Sequence, residues 1–459
     1  MQALDIAHLI VVIFQRPNLY IGLRVILLVN LEKINRVHFI GIGGISMSGL
    51  AEWLVQRGHR VTGSDRAASA LTRKLAAMGV KTSVGHTAVE DAAQADLVVY
   101  SAAIAPDNPE MVAAQAVGVP HVSRAELLGT MMAQHAYGIG VAGTHGKTTT
   151  TAMLATAFMA CGADPSVHLG GELPLIGGTT RLGGGEAFIC EADEYAYSFL
   201  KLSPKYAIIT NIEHDHPDIF PTFNDIKKAF EEFVGRLPKD GHLVVNYDDE
   251  ACMELAKIAP CRVSAFGMED GEYIPDDFNL QLTIPGRYNM ANATAAMAMA
   301  HICGLDMKKA AEALAGFTFA KRRFEPVGTT PGGARVISDY ARHPTAVKAV
   351  LEAGRDVCKG RVYIIFQPHT YSRTLMFLHE YAKALRGADC AIVPDIWAAR
   401  EANTGAVHSR TLAELAGAEY EPDFEKIAAK LRCEAGQDDI IICAGAGDNT
   451  RLCEMLIKE

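Results

Sequence analysis

Short apolar runs alternate along this chain with longer segments of helical composition. In the first series, strands are predicted at 37–40, 59–63 and 96–100, with helices following the first strand through Leu54 and again at 109–117. Runs this short are typical of strands buried in a sheet. The alternation of strand, helix and strand predicts a parallel sheet.

The same alternation occurs twice more along the chain. The second series has predicted strands at 138–142, 187–190, 206–210 and 242–246 and an alanine-rich helix at 289–303. The third has predicted strands at 335–338, 362–366, 390–394 and 440–443. With 459 residues the chain is long enough for roughly two to four domains. We therefore expect three α/β domains in series, at 37–135, 136–323 and 324–459.

Residues 1–36 form an extension of uncertain status. Its apolar runs, Leu9–Phe14 and Leu23–Leu31, are separated by Arg16 and Pro17, and neither reaches the ~18 residues that a membrane span needs. A basic start and a small-residue cleavage site are both missing, so a secretory signal is not predicted. We interpret the extension as a peripheral strand or helix, or as an overlong start; an amphipathic membrane contact is the remaining alternative.

Charge and cysteine usage narrow the class of protein. The formal net charge is −10, which argues against nonspecific nucleic-acid binding because no strong basic field would release counterions. The ten cysteines show no CxxC or zinc-binding spacing, so we interpret them as reduced core residues of a cytoplasmic protein.

The strongest motif lies between the predicted strand at 138–142 and a helix that starts at Lys147. It reads Gly143-Thr144-His145-Gly146-Lys147-Thr148-Thr149-Thr150, and a strand–loop–helix context is what a phosphate-binding loop requires. Lys147 would supply a positive charge for the β- and γ-phosphates, and the Thr148 hydroxyl could bind Mg²⁺. The motif departs from the full Walker pattern because Val141 stands in place of the first glycine.

Acidic and histidine-rich loops follow two further strands of the same domain. Glu191-Ala192-Asp193-Glu194 comes directly after the strand at 187–190, and Glu191 is the natural Mg²⁺ ligand. The loop 211–218, which reads NIEHDHPD, has a composition that suits a metal or phosphate edge. An exposed acidic turn and a loop of polar capping residues are the structural alternatives.

The loop after the first strand resembles a dinucleotide-binding fingerprint. It reads Gly41-Ile42-Gly43-Gly44-Ile45-Ser46, with Asp65 about 20 residues later, but Ser46 stands where a third glycine is expected. A diphosphate could rest on the following helix and Asp65 could bind a ribose. NAD and a nucleotide-sugar diphosphate are both allowed.

Two loops of the third domain carry further candidate chemistry. The loop 366–374 contains Arg373, whose guanidinium is the best fixed cation for a substrate carboxylate. The loop 338–344 adds Asp339, Arg342 and His343. Capping and turn formation are the structural alternatives for both loops.

Taken together, these motifs resemble the Mur ligase family, cytoplasmic enzymes that build the peptidoglycan stem peptide. The resemblance runs from about Val37 to the C-terminus and rests on eight segments in order: VHFIGIGGISMSGLAE, GSD at 63–65, AGTHGKTTTT, EADEYAYSFL, TNIEHDHPD, IPGRYNMANATAA, KRRF and FQPHTYSRT. It implies a Rossmann-like first domain, a central P-loop ATPase domain with a mostly parallel sheet, and a Rossmann-like last domain. It also implies ATP and Mg²⁺ as cofactors and a monomer or weak homodimer.

The resemblance further implies a role for each site residue. A UDP-sugar would bind at Gly41, Gly43, Gly44, Ser46, Met47, Ser48, Ser64 and Asp65. ATP would bind at Gly143, Thr144, His145, Gly146, Lys147, Thr148, Thr149, Asn289, Asn292 and Arg323, with Mg²⁺ on Thr148, Glu191 and His216. Tyr340, His369 and Arg373 would bind the amino acid, and the catalytic set would be Lys147, Glu191, His216 and Asp339.

The implied reaction joins UDP-N-acetylmuramate to L-alanine in two steps. ATP phosphorylates the lactyl carboxylate, and the neutral amine then attacks the acyl phosphate. Closure of the domains would exclude water from that reactive intermediate.

The last domain departs from the family pattern DDYGHHPTE, since Ser338 replaces the first acid, Arg342 a histidine and Ala346 the glutamate. In addition, Tyr288 stands where a histidine is usual and Thr370 where an arginine is common. Three alternatives therefore stay open. One is the ligase that reattaches recycled tripeptide to the same sugar nucleotide, one is a catalytically weakened nucleotide-binding paralogue, and one is an NAD-dependent oxidoreductase, which leaves the phosphate loop unexplained.

Overall fold

The structure, a computed structural model, describes residues 9–13, 25–318, 321–399 and 401–458. Within the extension, β1 (Leu9–Ile13) and β2 (Val25–Val29) pair as a two-stranded antiparallel sheet. The Val29 amide donates to Thr130 Oγ1 at 3.3 Å, which attaches this sheet to the first domain. Between a strand and a helix, the structure shows strands at these positions, while residues 1–8 and 14–24 of the extension lie outside the described residues.

The first domain is a parallel sheet with helices on its faces. Its strands are β3 (Arg36–Ile40), β4 (Arg60–Asp65), β5 (Lys81–Val84), β6 (Leu97–Tyr100) and β7 (His121–Ser123), in the order β5-β4-β3-β6-β7. Its helices are α1 (Ile45–Gln56), α2 (Ala70–Ala77), α3 (Val89–Ala93), α4 (Pro109–Ala116) and α5 (Arg124–Ala133). The strand order reverses at β3, because β4 and β5 lie on one side of it and β6 and β7 on the other. The loop after β3 is therefore at a topological switch point, where α/β sheets bind ligands.

The central domain is a seven-stranded sheet in the order β10-β9-β11-β8-β12-β13-β14, parallel except for the antiparallel pair β9 and β10. Its strands are β8 (Tyr137–Ala142), β9 (Ser166–Leu173), β10 (Gly178–Arg181), β11 (Ala187–Glu191), β12 (Tyr206–Ile209), β13 (His242–Asn246) and β14 (Arg262–Phe266). Its helices are α6 (Lys147–Ala160), α7 (Phe223–Val234), α8 (Glu250–Ala256), α9 (Arg287–Ile302) and α10 (Met307–Ala315).

The last domain has the sheet order β15-β16-β20-β17-β18-β19, parallel except at β15. Its strands are β15 (Glu325–Thr329), β16 (Arg335–Asp339), β17 (Val362–Gln367), β18 (Cys390–Val393), β19 (Glu419–Tyr420) and β20 (Ile440–Gly445). Its helices are α11 (Pro344–Val357), α12 (Tyr371–Met376), α13 (Leu378–Leu385), α14 (Ser409–Ala416), α15 (Phe424–Glu434) and α16 (Asn449–Ile457). The expectation of three α/β domains in series is confirmed.

The domains differ in how they join. One hydrophobic core runs from the first domain into the central domain and includes Leu127 and Met131 of α5 together with Phe199 and Leu200. The last domain buries its apolar side chains in cores of its own and meets the central domain through the polar loops described below. Polar contacts of this kind allow relative domain motion more readily than a shared core does.

The burial of the cysteines differs from the expectation that they are core residues. Of the ten cysteines, which are all free, only Cys190, Cys252, Cys443 and Cys453 are buried; five are partly exposed and Cys433 is exposed, so most of them are not core residues. Within the described ranges, no helix combines the length and apolar character needed to cross a bilayer.

Candidate active site

The phosphate loop joins β8 to α6 in a shape that only glycine allows at its last position. Gly146 precedes α6 with φ +83°, and a Cβ added there would lie 2.4 Å from Asn292 Oδ1. The backbone can therefore turn sharply into the helix, whose amino end points toward the loop. The N–H groups at such an end form an anion-binding site.

Residues that follow the neighbouring strand β12 hold the loop through hydrogen bonds. The Asn211 side chain accepts from the His145 amide at 2.9 Å and donates to the His145 carbonyl at 3.1 Å. Thr210 Oγ1 also donates to that carbonyl, at 2.5 Å. The Thr144 hydroxyl accepts from the Glu213 amide at 2.8 Å. These contacts hold the loop rigid without using Lys147 or Thr148.

Lys147 lies folded over the loop. Its Nζ donates to Gly143 O at 2.6 Å and to Glu194 Oε2 at 2.7 Å, and Glu194 is fully buried. Burial would raise the pKa of Glu194, but Lys147 and His216 outweigh it and hold that pKa at about 2. An ionised carboxylate thus positions the lysine beside the space where a phosphate would lie.

Glu191 and Thr148 form a second group beside the loop. Glu191 Oε1 accepts from the Gly170 amide at 2.6 Å, and Thr148 Oγ1 accepts from Arg323 Nη2 at 3.0 Å. Burial raises the pKa of Glu191, although the Gly170 amide and the charge of Arg323 oppose that rise. A carboxylate whose ionised form is poorly solvated favours a nearby cation.

His216 lies where the central and last domains meet, with φ +56°. Its Nε2 is 3.6 Å from Glu194 Oε1, a buried oxygen for which the described residues provide no hydrogen-bond partner. The same nitrogen accepts from Arg342 Nη2 at 3.3 Å. The oxygen of Glu194 fits a cation ligand, whereas His216 fits one only when Arg342 moves away.

Arg373 is buried in this cross-domain group and is already paired. Its Nε donates to Asp215 Oδ1 at 2.7 Å and its Nη1 to His369 Nδ1 at 2.8 Å. Burial would raise the pKa of Asp215, but His216 and Arg373 hold it well below the usual range. Burial lowers the pKa of His369 to about 3, helped by Arg342 and Arg373. The Asp215 carboxylate therefore neutralises the Arg373 guanidinium in this structure.

Asp339 holds the connection between the central and last domains. Its carboxylate accepts from the Phe324 amide at 2.6 Å and from the Ala341 amide at 2.7 Å, and burial raises its pKa despite the nearby Arg323. The neighbouring Tyr340 ring lies 5.2 Å from the Arg323 guanidinium. Asp339 thus orients the chain around residues 323–324, the hinge between the central and last domains, where Arg323 donates to Thr148.

Two of the predicted ATP-binding residues, Asn289 and Asn292, lie on α9, which packs against α6. Asn292 is buried and its Oδ1 accepts from Thr150 Oγ1 at 3.1 Å. Asn289 is also buried and donates to Pro285 O at 2.6 Å. Thr149 is buried in the first turn of α6. The packing of α9 on α6 thus brings the Asn292 side chain next to Gly146 of the phosphate loop.

The glycine loop of the first domain is closed by Asp65. Gly41 takes φ +86°, and the Gly43 amide donates to Asp65 Oδ2 at 2.8 Å. Gly44 directly precedes α1 and is exposed. Ser46 Oγ lies 2.7 Å from His168 Nε2 and accepts from Arg124 Nη1 at 3.1 Å. The loop therefore contacts the central domain through the Ser46 side chain.

Three residues predicted for this site are buried instead of facing the loop surface: Met47, Ser48 and Ser64. The Ser64 hydroxyl donates to Glu110 Oε2 at 2.6 Å and the Ser48 hydroxyl to Ile45 O at 3.0 Å. In this arrangement the exposed or partly exposed groups of the loop are Gly41, Gly43, Gly44, Ser46 and Asp65.

The residues that depart from the family pattern differ in their burial and in their contacts. Ser338 is buried, and its hydroxyl lies next to Cys453. Ala346 packs at the edge of the core of the last domain, as does Tyr288. Thr370 caps α12 at φ +63°. Of the departures, Arg342 contacts the candidate site directly, through His216.

Sequence reasoning singled out the acidic loop but not the contact between Glu194 and Lys147, and it missed the bracing role of Asn211. The signals were present, because Glu194 ends the run EADE and Asn211 begins the loop after β12. Neither role could be assigned without knowing which strand ends are neighbours in the sheet.

Comparison with known proteins matches the three domains to one family. The Mur ligase family catalytic domain matches residues 36–136, the Mur ligase middle domain 141–300, and the Mur ligase glutamate ligase domain 322–447. The chain belongs to the Mur ligase family.

Relatives are similar in sequence over nearly the whole length of this chain. UDP-N-acetylmuramate–L-alanine ligase of Acetivibrio thermocellus is 41% identical over 455 residues, which cover 93% of this chain and 97% of the relative. The enzyme of the same name from Clostridium novyi is 41% identical over 451 residues, covering 93% and 98%.

Solved structures show the same architecture. A UDP-N-acetylmuramate–alanine ligase from Thermotoga maritima superposes with a TM-score of 0.77 at 26% identity, covering 92% of this chain and 98% of that one. A murein peptide ligase from Psychrobacter arcticus superposes with a TM-score of 0.66 at 24% identity, covering 92% and 98%; at that identity it shows the shared fold.

Proposed function

We propose that this chain joins L-alanine to the lactyl carboxylate of UDP-N-acetylmuramate at the expense of ATP, in the synthesis of peptidoglycan precursors. The observation that carries the proposal is the phosphate loop with Lys147, which lies where loops of the central and last domains converge. The near full-length relatives support the same substrates.

ATP binding is assigned to the central domain. The loop 143–149 would hold the phosphates on its backbone N–H groups. Lys147 would exchange its contact with Glu194 for the transferring phosphate, and Arg323 would approach from the hinge. Asn289 and Asn292 would lie on the adenine side.

The sugar nucleotide is assigned to the first domain. The amino end of α1 suits a diphosphate, and Asp65, which accepts from the Gly43 amide in this structure, suits a ribose hydroxyl. Met47, Ser48 and Ser64 would support the loop from inside. The shared core of the first and central domains would keep this site at a fixed distance from the phosphate loop.

The Mg²⁺ site is assigned to Thr148, Glu191 and His216, because a hydroxyl and a carboxylate suit this ion. When bound, Mg²⁺ would neutralise charge on the transferring phosphoryl group. Glu194 Oε1, which has no hydrogen-bond partner among the residues that the structure describes, supports an additional ligand or an outer contact at the same place. Arg342 would have to leave His216 Nε2 first.

In the first step, a lactyl carboxylate oxygen attacks the γ-phosphorus of ATP. The bond between that phosphorus and the β–γ bridging oxygen breaks, and ADP leaves with the electron pair. Lys147 would stabilise the negative charge on the oxygens of the transferring group. The product is an acyl phosphate.

In the second step, the neutral amine of L-alanine attacks the acyl carbon. The tetrahedral intermediate collapses with loss of phosphate, and the nitrogen releases its extra proton. Arg373 would hold the alanine carboxylate in place of Asp215, with His369 and Tyr340 beside it. Asp339 would keep this loop at the correct distance, and the closed last domain would exclude water.

The test is an assay of amine-dependent phosphate release. The protein is incubated with ATP, Mg²⁺ and UDP-N-acetylmuramate together with L-alanine, L-serine, glycine or the stem tripeptide, and the product mass is measured. We expect release that requires the sugar nucleotide and is fastest with L-alanine, with a product heavier by one alanyl residue. Release with tripeptide alone would assign the recycling reaction instead. Tight ATP binding without release for any amine would indicate a nucleotide-binding protein.

A further inference from the structure

A second polar cluster, distinct from the proposed Mg²⁺ ligands, lies at the contact between the central and last domains. It consists of His145, Glu213 and His343, whose ligand atoms lie within 4.8 Å of one another. His145 belongs to the phosphate loop, Glu213 to the loop after β12, and His343 precedes α11 in the last domain. We call these three residues the His–Glu–His cluster.

Two hydrogen bonds define the protonation of His343. Its Nε2 lies 3.2 Å from His214 O, and a carbonyl oxygen can only accept, so Nε2 carries the proton. The Thr345 amide donates to Nδ1 at 3.3 Å. Both contacts give the same tautomer, with a lone pair on Nδ1.

That lone pair accepts from the Thr345 amide in this structure, so a cation bound to Nδ1 would replace the Thr345 contact. Nδ1 also faces a second acceptor. Nδ1 of His343 lies 3.2 Å from Glu213 Oε2. Burial and the neighbouring His145 lower the pKa of His343 to about 4, while His145 and Thr345 outweigh burial and hold the pKa of Glu213 at about 2. At neutral pH a neutral imidazole therefore faces an ionised carboxylate, and a positive charge between the two would stabilise the arrangement.

His145 completes the set of ligand atoms. Its Nε2 lies 3.2 Å from the same Glu213 oxygen, and its ring centroid lies 4.7 Å from that of His343. The side chains of His145, Glu213 and His343 are 21%, 32% and 7% exposed. One side of the cluster is thus open to solvent for entry of an ion and for a water as fourth ligand.

We propose that the His–Glu–His cluster is a binding site for Zn²⁺ or a similar borderline divalent cation, which clips the last domain to the phosphate loop. Two imidazole nitrogens and one carboxylate oxygen with an open fourth position are a typical zinc ligand set. Mg²⁺ prefers oxygen ligands and does not compete well for imidazole.

The hydrogen bonds around the His–Glu–His cluster are of the kind found in known metal sites. Histidines that bind metals almost always donate their second N–H to a carbonyl or carboxylate, as His343 does to His214 O. The Glu213 carboxylate is oriented by Thr345 Oγ1, which donates to it at 2.7 Å. Because His145 stands two residues before Lys147, an ion bound here would restrain the phosphate loop and the domain contact together.

The test is calorimetric titration of Zn²⁺ alone into the full-length, nucleotide-free protein, with Mg²⁺ at about millimolar concentration to occupy oxygen-rich sites. The proposal predicts one Zn²⁺ per chain at this cluster. His343→Gln, His145→Gln and Glu213→Gln should each weaken that binding at least about tenfold, since even second-shell changes cost this much. The three variants are independent, so failure of one to fold leaves the other two as tests.

His408→Gln is the matched control. His408 also precedes a helix and accepts from the amide two residues later, Arg410, at 3.0 Å, but it does not belong to the cluster. This variant should bind Zn²⁺ like the unaltered protein, and zinc held by exposed thiols such as Cys433 should be the same in every variant. Absence of a one-to-one site in the unaltered protein, or unchanged affinity in the three cluster variants, would overturn the proposal.

Discussion

The first and central domains each place a glycine loop between a strand and a helix, yet the two loops differ in charge. In each, a side chain from a neighbouring strand end binds a loop amide: Asp65 accepts from Gly43 at 2.8 Å, and Asn211 accepts from His145 at 2.9 Å. The first brace is a carboxylate and the second a neutral carboxamide. The central loop also leads directly into Lys147, whereas α1 begins with Ile45.

This difference shows how the same strand–loop–helix unit can suit two kinds of ligand, depending on the charge beside the loop. A carboxylate beside the loop disfavours a triphosphate and favours hydroxyl groups of a ribose, while a carboxamide and a lysine favour a cluster of phosphate charges. We therefore expect substitutions in the two loops to affect different substrates.

The largest effect is expected for Lys147→Ala. Loss of this charge removes the main protein cation at the transferring phosphoryl group, so kcat for ligation should fall roughly 100- to 1,000-fold, as for loss of one transition-state donor. Steady-state phosphate release measures it. Lys74→Ala, which breaks a surface ion pair with Glu52, is the control and should retain activity.

The next effect is expected for Asp65→Ala. The variant loses a charged acceptor worth about 1.5–3 kcal/mol, so KM for the sugar nucleotide should rise roughly 10- to 100-fold while KM for ATP stays within about twofold. Asp91→Ala, which removes a surface partner of Lys81, is the matched control. An equal rise in the KM values for the sugar nucleotide and for ATP would contradict the assignment of the two substrates to different loops.

A smaller effect is expected for Arg342→His. The guanidinium donates to His216 Nε2 and brings a positive charge to the place assigned to Mg²⁺. Its removal should lower the Mg²⁺ concentration that gives half-maximal rate by roughly three- to tenfold, since one lost like-charge contact is worth on the order of 1 kcal/mol. A titration of rate against Mg²⁺ checks this, and a higher Mg²⁺ requirement would argue against His216 as a ligand.

The smallest effect concerns the contact between the first loop and the central domain. Burial and Arg124 lower the pKa of His168 to about 3, below the ~6.5 of an unfolded chain. Between these values the unfolded chain binds more protons, so the free energy of unfolding falls as the pH falls.

His168→Gln should remove this contribution, up to about 1.4 kcal/mol per pH unit from pH 6.5 downward. Urea unfolding at pH 7, 6 and 5 measures the slope. His121→Gln, at an exposed histidine of the first domain, should leave the slope unchanged. An identical slope in the His168 variant would show that this histidine titrates normally.

Much of the fold could be predicted from sequence because the central strands are buried on both faces. The strand β13 was predicted at its observed bounds, and β8 and β12 within one residue. The strands that escaped prediction are polar, glycine-containing or at a sheet edge: β9 carries Gly170 and Gly171, and β15 carries Pro326 and Gly328. Such strands form because neighbours pair with them, which the local pattern does not reveal.

The candidate site, like the fold, has parts that the local sequence predicts and parts that it does not. The phosphate loop was recognisable because its residues are consecutive in the sequence. The contacts of Arg373 with Asp215 and of Arg342 with His216 join residues more than a hundred positions apart, so only the packing of the last domain on the central one reveals them.

The most direct test of the proposed ligase chemistry follows the oxygen atoms. UDP-N-acetylmuramate carrying oxygen-18 in its lactyl carboxylate is incubated with the protein, ATP and L-alanine, and the released phosphate is analysed by mass spectrometry. An acyl phosphate intermediate predicts that each phosphate released carries one labelled oxygen from the carboxylate. Unlabelled phosphate released together with the alanyl product would contradict that route.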